Sequence, residues 1–454
     1  MNFRQHFCYT FFSCFLTGCL GVHSQQNPRP LPQDPLVQVY FNHTESSQYQ
    51  DLQQQQRNGD DLEQKIIAAI SASKSSVDVA VQELRLPKIA HALVERQKAG
   101  VKVRVILENT YNYSLEAAKA GKTARETAKY NELRKLSDRN QDGQLSAEEI
   151  QQGDAVLILS NAQVPVIDDT ADGSKGSDLM HHKFIIVDDR TVIVTSANFT
   201  SSDIHGDITN PQSTGNANNL VQIDSPKLAA IFTQEFNLMW NSDRAFGVKK
   251  PYRLPQQVQV GNTTIDVQFS PTSPTSHWSQ STNGLIAKTL SKSSQSVDLA
   301  LFVFSDQNIA NTLEQQSIHN VQIRAVIEPD FIYRSYSEAL DMMGVSLSNK
   351  CKVEANNHPW SSPITTVGVP QLFKGDLLHH KFAVIDKNMV ITGSHNWSEA
   401  ANTSNDETLL VIHSPTVAAH YQQEFERLYA NAQLGVPERL QQKIQKAQKQ
   451  CVKG

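Results

Sequence analysis

The sequence predicts an α/β protein made of two similar halves that share one active site at their interface. Each half carries the same strand-helix-strand pattern, which predicts a parallel or mixed sheet flanked by helices. Each half also carries the motif His-x-Lys-x4-Asp, at residues 181–188 and 379–386. A predicted helix follows each motif, and the two helices share Gln-Glu-Phe at 234–236 and 423–425. We therefore expect a pseudo-two-fold relation between the halves.

The chain begins with a segment typical of exported proteins. Arg4 supplies a positive start, and residues 7–22 are apolar but too short to span a bilayer comfortably. Residues 16–19 resemble a bacterial lipobox with Cys19 as the lipidated residue, whereas a rival cleavage site follows Ser24. An uncleaved signal anchor is the third alternative. We expect residues 1–24 to be a signal peptide, and the protein to be periplasmic, extracellular or a membrane-anchored lipoprotein.

The rest of the chain divides into two predicted domains with short connections. Its 454 residues, 39% hydrophobic content and net charge of −5 predict a globular protein and argue against a globally basic nucleic-acid binder. Successive segments are a tether, the first half, a linker, the second half and a basic helical tail. Their predicted bounds are 25–36, 37–245, 246–262, 263–434 and 435–454.

Strands and helices alternate in the same order in both halves. In the first half we predict strands at 37–41, 76–81 and 101–107, with helices at 62–72 and 87–99. In the second half, the matching strands are 265–269, 296–301 and 321–327. Beyond the leader the cysteines are Cys351 and Cys451, which can pair in an oxidising compartment. The sequence leaves their pairing open.

The duplicated motif has a physical interpretation as a phosphate site. Side chains alternate along a strand, so His181 and Lys183 share one face, and Asp188 lies on the opposite face, which favours a structural role for it. Ser196 and Asn198 then add neutral hydrogen-bond donors two residues apart. The second half repeats this pattern with His379, Lys381, Asp386, Ser394 and Asn396. Two such sets, facing each other, would hold a phosphodiester between two imidazoles.

These residues resemble the phospholipase D superfamily, whose signature is the duplicated His-Lys-Asp motif. The resemblance covers residues 37–434 and implies two α-β-α sandwich halves, with a monomer as the expected state. It implies a covalent phosphohistidine intermediate formed without a catalytic metal. The implied catalytic set is His181, Lys183, Asp188, His379, Lys381 and Asp386. Thr195 departs from the family pattern because it stands where Gly393 stands in the second half.

A second matched pair suggests different roles for the two histidines. Glu407 occupies the family position whose carboxylate orients a motif histidine, and Asn218 stands there in the first half. Assigning each to the histidine of its own half, we predict that the carboxylate raises the pKa of His379, which suits a general acid. His181 is then the nucleophile. The neighbouring His182 and His380 face the other side and are expected to be packed or surface residues.

The first half has a longer interval before its motif, and that interval contains an apparent calcium loop within an insert at about 117–152. Residues 138–149 match a 12-residue EF-hand loop, in which Gly143 makes the sharp turn and Ser146 stands at position 9. The predicted ligands are Asp138, Asn140, Asp142, Gln144 and Glu149. A lone loop of this kind favours a structural calcium ion.

Three functions fit this framework. One is a phosphodiesterase that acts on phospholipid head groups, and another is a nuclease. The third is a non-catalytic binding protein that kept the fold, although such proteins typically lose a motif residue and this chain has kept all of them. The sequence leaves the choice between lipid and nucleic acid open.

Overall fold

The computed structural model describes residues 29–451, apart from gaps at 52–53, 118–122, 209, 211, 242–244, 252, 274 and 349–350. The predicted signal peptide, Cys19 and the first part of the tether lie outside the described residues. Within the described ranges, no helix is long and apolar enough to cross a membrane.

The first half is built on a seven-stranded sheet with strand order β1-β9-β8-β7-β4-β5-β6. Its strands are β1 Val37–Phe41, β4 Ser76–Val81, β5 Lys102–Leu107, β6 Val166–Asp168, β7 Lys183–Val187, β8 Thr191–Thr195 and β9 Asn219–Asp224, and a separate hairpin joins β2 Gln48–Gln50 to β3 Gln56–Asn58. Its helices are α1 Leu62–Ala72, α2 Pro87–Lys98, α3 Ala124–Ser137, α4 Ala147–Gly153, α5 Ala155–Asn161, α6 Ser201–Ile204 and α7 Pro226–Trp240. Strands β4, β5 and β6 are parallel, whereas β7 runs antiparallel to β4.

The second half repeats this sheet and adds one strand at each edge, in the order β10-β11-β17-β16-β15-β12-β13-β14-β18. The strands are β10 Gln256–Val260, β11 Thr263–Ser270, β12 Ser296–Leu301, β13 Gln322–Ile327, β14 Val367–Val369, β15 Lys381–Ile385, β16 Met389–Gly393, β17 Glu407–His413 and β18 Gln433–Leu434. The helices are α8 Thr282–Leu290, α9 Gln307–Ile318, α10 Pro329–Ile332, α11 Glu338–Met342, α12 Glu399–Thr403, α13 Pro415–Tyr429 and α14 Glu438–Cys451. Strand β10 falls within the predicted linker and pairs with β11.

The core explains why the two halves stay together. One cluster of buried residues spans both sheets and includes Phe184, Phe232, Phe382 and Phe425, so apolar side chains of α7 and α13 fill the space between the halves. Two further clusters cover the outer faces, one under α1 and α2 and the other under α8 and α9. Burying aromatic side chains contributes much of the stabilising free energy of such a core. The predicted α/β class with two matching halves is confirmed.

Matched polar pairs hold equivalent strands in register. Arg104 on β5 donates two hydrogen bonds to Asp78 on β4, of 2.7 and 2.6 Å. In the second half, Arg324 repeats the contact with Asp298 at 2.7 and 2.8 Å. Each arginine also lies over an aromatic ring of the helix that follows the motif. Both halves therefore use one bidentate ion pair at the same position of the sheet.

Two peripheral expectations have mixed outcomes. The tail does form the predicted helix, α14, and its Leu440 is buried against Leu340 and Leu347, so one side of this helix packs on the second half. Cys351 is disulfide-bonded. The side chain of Cys451 is outside the described part of the chain.

Candidate active site

The two motif strands reach each other across the interface between the halves. The His181 amide donates to the Asp406 carbonyl at 3.0 Å, and the His379 amide donates to the Ala217 carbonyl at 3.1 Å. These contacts belong to two short parallel β-bridges between the halves. One joins Met180 to Asp406, and the other joins Leu378 to Ala217. The residues before β7 therefore lie beside those before β17, and the residues before β15 lie beside those before β9. The predicted single site is formed at this crossing.

Each imidazole is oriented by a residue of the opposite half. His181 Nδ1 lies 2.8 Å from Glu407 Oε2, and His379 Nδ1 lies 3.1 Å from Asn218 Oδ1. The prediction that each partner serves the histidine of its own half is therefore wrong. The bridges are the physical reason, because they place Glu407 next to the first motif and Asn218 next to the second. His379 Nδ1 also has the Asp203 carboxylate at 3.9 Å.

Burial and nearby lysines control the charge of the two histidines. Burial, reinforced by Lys183 and Lys381, holds the pKa of His181 well below its usual value. The same causes, with Lys381 ahead of Lys183, lower the pKa of His379. Because a hydrogen-bond acceptor faces each Nδ1, the neutral ring carries its proton there and presents an unprotonated Nε2. Both rings are therefore set to exchange protons or attack through Nε2.

The two lysines form a cationic pair in the same site. Lys183 Nζ donates to the His181 carbonyl at 3.0 Å and to Gln82 Oε1 at 3.3 Å. Lys381 Nζ donates to the His379 carbonyl at 2.6 Å. Burial lowers the pKa of Lys183 to about 8, and burial together with Lys183 lowers that of Lys381. An anion placed between them would relieve this repulsion, which is the property expected of a phosphate cradle.

The predicted hydroxyl donors act on the orienting residues. Ser394 Oγ donates to Glu407 Oε2 at 2.6 Å, and Ser196 Oγ donates to Asn218 Oδ1 at 2.7 Å. Asn198 and Asn396 are half-buried, and their side-chain oxygens lack a hydrogen-bond partner. These oxygens are acceptors, so any contact with a phosphate oxygen would come from the amide NH2 group of each asparagine.

His182 and His380 lie fully buried on the opposite face, so the prediction that they are packed residues is confirmed. His182 Nε2 lies 3.2 Å from Glu235, and His380 Nε2 lies 2.9 Å from Glu424. These glutamates are the central residues of the repeated Gln-Glu-Phe. The repeat was visible in the sequence, but it gave no indication that the glutamate reaches the residue next to the motif histidine.

Asp188 and Asp386 brace the far end of each motif strand. The Asp188 carboxylate accepts three backbone amides, of Lys74, Ser75 and Ser76, at 2.7 to 3.0 Å. Asp386 accepts the equivalent amides of residues 294–296. The structure thus places both aspartates away from the histidines, in the structural role that strand alternation favoured, although the family motif counts them in the catalytic set.

The backbone around Thr195 accommodates the difference from Gly393, its counterpart in the second half. Gly393 has φ +136°, and a Cβ atom there would lie 2.2 Å from the Thr408 carbonyl oxygen, so only glycine fits. Thr195 has no such φ, and its hydroxyl donates to the Asn219 carbonyl at 2.5 Å and accepts the Ala197 amide at 3.0 Å. At this position the first half therefore has a threonine hydroxyl hydrogen-bonded to the neighbouring backbone. In the second half, the backbone of Gly393 lies directly against the Thr408 carbonyl.

The loop at 138–149 folds back on its own side-chain oxygens. Asp138 Oδ2 accepts the Gly143 amide at 2.9 Å, and Asn140 and Asp142 each accept an amide two residues ahead. Glu149 closes the loop through a capping box with Ser146. The other Asp138 oxygen is buried without a partner. The donor set of carboxylate, amide and carbonyl oxygens fits a calcium ion.

Comparison with known proteins agrees with this geometry. A family model described as cardiolipin synthase, PLD-like domain, matches residues 66–240 and 286–429, which together make up more than half of the chain. A mitochondrial cardiolipin hydrolase of Xenopus laevis is 28% identical over 185 residues, or 40% of this chain and 78% of that protein. For the Mus musculus protein of the same name, the identity is 26% over 153 residues, or 33% of this chain and 59% of that protein.

A solved structure resembles the whole chain. The crystal structure of phosphatidylserine synthase from Haemophilus influenzae covers 92% of this chain and 94% of its own, with a TM-score of 0.52 and 11% identity. At this identity the likeness concerns the fold alone. It extends over both halves, which matches the repeated sheet order.

Proposed function

The chain belongs to the phospholipase D-like family described by the cardiolipin synthase model, and from this we propose that it is a phosphodiester hydrolase with one active site shared by both halves. The observation that carries the proposal is the crossing of the two motifs, which brings His181, His379 and both lysines together. A non-catalytic role would leave the buried lysine pair and its unfavourable electrostatics without a purpose.

We assign the first step to His181. Its Nε2 attacks phosphorus, the bond from phosphorus to the leaving oxygen breaks, and that oxygen takes a proton from Nε2 of His379. For this step His379 is in its protonated form, which the negative charge of the bound phosphodiester favours by raising the pKa of the ring. The attacking ring gains positive charge, and the buried Glu407 carboxylate at 2.8 Å stabilises that charge. Glu407 thus supports the nucleophile that we predicted, for a different reason from the one that the sequence suggested.

In the second step, His379 serves as the base. It removes a proton from water, the resulting oxygen attacks phosphorus, and the bond to His181 Nε2 breaks. Asn218 keeps the His379 ring in one orientation without adding a full charge, which makes its proton easier to release. Lys183 and Lys381 offset the negative charge of the non-bridging oxygens in both steps.

We further propose a glycerophospholipid as the substrate. The support is the family description and the cardiolipin hydrolase relatives, whose names refer to phospholipid chemistry. A nucleic acid presents the same phosphodiester, so the experiment must separate the two. Export through residues 1–24, anchoring through Cys19 and a monomeric state remain proposals that rest on the sequence.

The test is a substrate panel on purified protein. We expect hydrolysis of bis(p-nitrophenyl) phosphate and of phosphatidylcholine or cardiolipin vesicles, with phosphatidate-type products measured by mass spectrometry. His181→Ala and His379→Ala should each abolish all activities, whereas His319→Ala, an exposed control, should keep them. If the protein hydrolyses single- or double-stranded DNA but no phospholipid, the proposed substrate is wrong and a nucleic acid takes its place. Substantial turnover by either single variant would disprove the shared site.

We also propose that residues 138–149 bind one calcium ion in a structural role. The predicted ligands Asp138, Asn140, Asp142, Gln144 and Glu149 would supply the oxygens, and one carboxylate oxygen of Asp138 has no hydrogen-bond partner within the protein. Because the loop lies between α3 and α4, bound calcium would fix the angle between these helices. No step of the reaction passes through this ion.

A further inference from the structure

Two buried glutamates occupy the same position in both halves, outside the predicted motifs. Glu108 directly follows β5, and Glu328 directly follows β13. Each is 2% exposed. Glu108 Oε2 accepts the Met180 amide at 2.7 Å, and Glu328 Oε2 accepts the Leu378 amide at 2.7 Å.

The accepted amides belong to the residues immediately before the two motif histidines. The flanking backbone groups are directed at the opposite half, since the His181 amide donates to the Asp406 carbonyl and the Asp406 amide donates to the Leu179 carbonyl. The Met180 amide faces its own half, where Glu108 receives it. Met180 and Leu378 are fully buried, so without the glutamates these amides would be unsatisfied, at a cost of about 1–3 kcal/mol each.

Holding a carboxyl group at this depth is unfavourable. Burial raises the pKa of both Glu108 and Glu328 to about 7, although the amide contacts oppose that shift. A buried carboxylate that accepts a backbone amide makes a shorter and stronger bond than a neutral group. The positive charge of Lys381 also opposes the rise in the pKa of Glu328.

We propose that Glu108 and Glu328 are positioning residues, Glu108 for His181 and Glu328 for His379. Each motif histidine is then held from two sides, by the opposite half through its own amide and by its own half through the amide before it. A displacement of about 1 Å at a reacting atom can cost about a hundredfold in rate. This proposal rests on the proposed function. The proposed reaction assigns different roles to His181 and His379, so the loss of Glu108 and the loss of Glu328 should have different kinetic effects.

The test compares two leaving groups. We expect Glu108→Ala to slow the burst of nitrophenolate from bis(p-nitrophenyl) phosphate by roughly ten- to a hundredfold, because it displaces the nucleophile. Glu328→Ala should keep a near wild-type burst, since nitrophenolate needs no proton. On a phospholipid, whose leaving alkoxide must be protonated, both variants should be slow.

Further variants separate positioning from loss of folding. Glu108→Asp keeps the charge but withdraws the oxygen from the amide, so it should resemble Glu108→Ala. Glu108→Gln and Glu328→Gln keep an accepting oxygen and should recover most of the rate. Each variant is compared at temperatures well below its own melting midpoint.

The outcomes are distinct from those for the proposed function. Wild-type kinetics for Glu108→Ala and Glu328→Ala on both substrates would overturn the positioning roles, while the effects of His181→Ala and His379→Ala would stand. Equal loss of the nitrophenolate burst in both glutamate variants would overturn the assignment of one glutamate to each histidine. Activity in the histidine variants would instead disprove the reaction itself.

Discussion

His181 and Glu407 belong to different halves of the chain, yet Nδ1 of the one lies 2.8 Å from Oε2 of the other. The equivalent contact in the opposite direction joins His379 to the neutral Asn218 at 3.1 Å. The two histidines therefore have matching hydrogen-bond geometry, but a carboxylate faces His181 and an uncharged amide faces His379. In the proposed mechanism, this inequality gives the two imidazoles separate roles.

Changing the charge of each orienting residue should affect different steps. Glu407→Gln keeps a hydrogen-bond acceptor but removes the charge, so phosphohistidine formation should slow about a hundredfold. Asn218→Asp adds a carboxylate beside His379 and raises its pKa. The ring then keeps its proton to higher pH, and turnover of alkoxide-leaving substrates should extend to higher pH. Rapid-quench rates and pH profiles measure both effects, and unchanged adduct formation in Glu407→Gln would contradict the first.

The identity of the phosphorylated histidine can be read directly. With a nitrophenyl ester, His379→Ala should still form the covalent adduct, because the leaving group needs no proton, whereas His181→Ala should not. Acid-free quenching followed by mass spectrometry locates the phosphate. An adduct on His379 with none on His181 would reverse the roles but keep the two-histidine chemistry.

With a nitrophenyl ester, whose leaving group needs no proton from His379, the activity should fall on the alkaline side near pH 8. The pKa of Lys183 is lowered to about 8, and an ammonium group is charged below its pKa, so phosphate binding weakens as the pH rises through that value. The fall should occur in kcat/KM. Glu83→Gln should move the limb to lower pH, because Glu83 raises the pKa of Lys183. A kcat/KM that is flat to pH 10 would refute this assignment.

Calcium should stabilise the protein without being needed for turnover. A ligand that binds only the native state adds roughly 2.7 kcal/mol at a hundredfold excess over Kd. The melting temperature should therefore rise with calcium, and Asp138→Ala or Glu149→Gln should remove the rise. The matched control is Glu148→Gln, which is not a predicted ligand. Identical melting of the wild type in calcium and in chelator would show that the loop binds none.

Asp188 should matter for stability and not for chemistry. Asp188→Ala removes the acceptor of three backbone amides and places alanine at φ +54°, so a loss of about 2 kcal/mol or more in the free energy of unfolding is expected. Asp188→Asn tolerates this φ and keeps one accepting oxygen, so its loss should be smaller. A large fall in kcat of the folded Asp188→Ala protein would argue for a catalytic role after all.

The sequence predicted the repeated sheets and the shared faces of His181 and Lys183 because both follow from strand periodicity. It also predicted that His182 is packed on the other side. It failed on the partner of Glu407, because alignment of two repeats says which positions are equivalent but not which half a side chain will reach. Glu108 was missed for a related reason. Glu108 and Glu328 follow equivalent strands, but an acidic residue after a strand does not reveal that its carboxyl group reaches the Met180 or Leu378 amide.

The exchange of partners between halves bears on how such a protein can arise. In a symmetric dimer of identical subunits, every orienting residue occurs twice, so replacing a glutamate by asparagine alters both imidazoles together. Once the two copies lie on one chain, position 218 can change while position 407 does not. Gene duplication and fusion thus permit the two histidines to take different roles, which the symmetry of a homodimer prevents. By the same reasoning, either half expressed alone would pair only with itself and could rebuild only a site with two equal histidines.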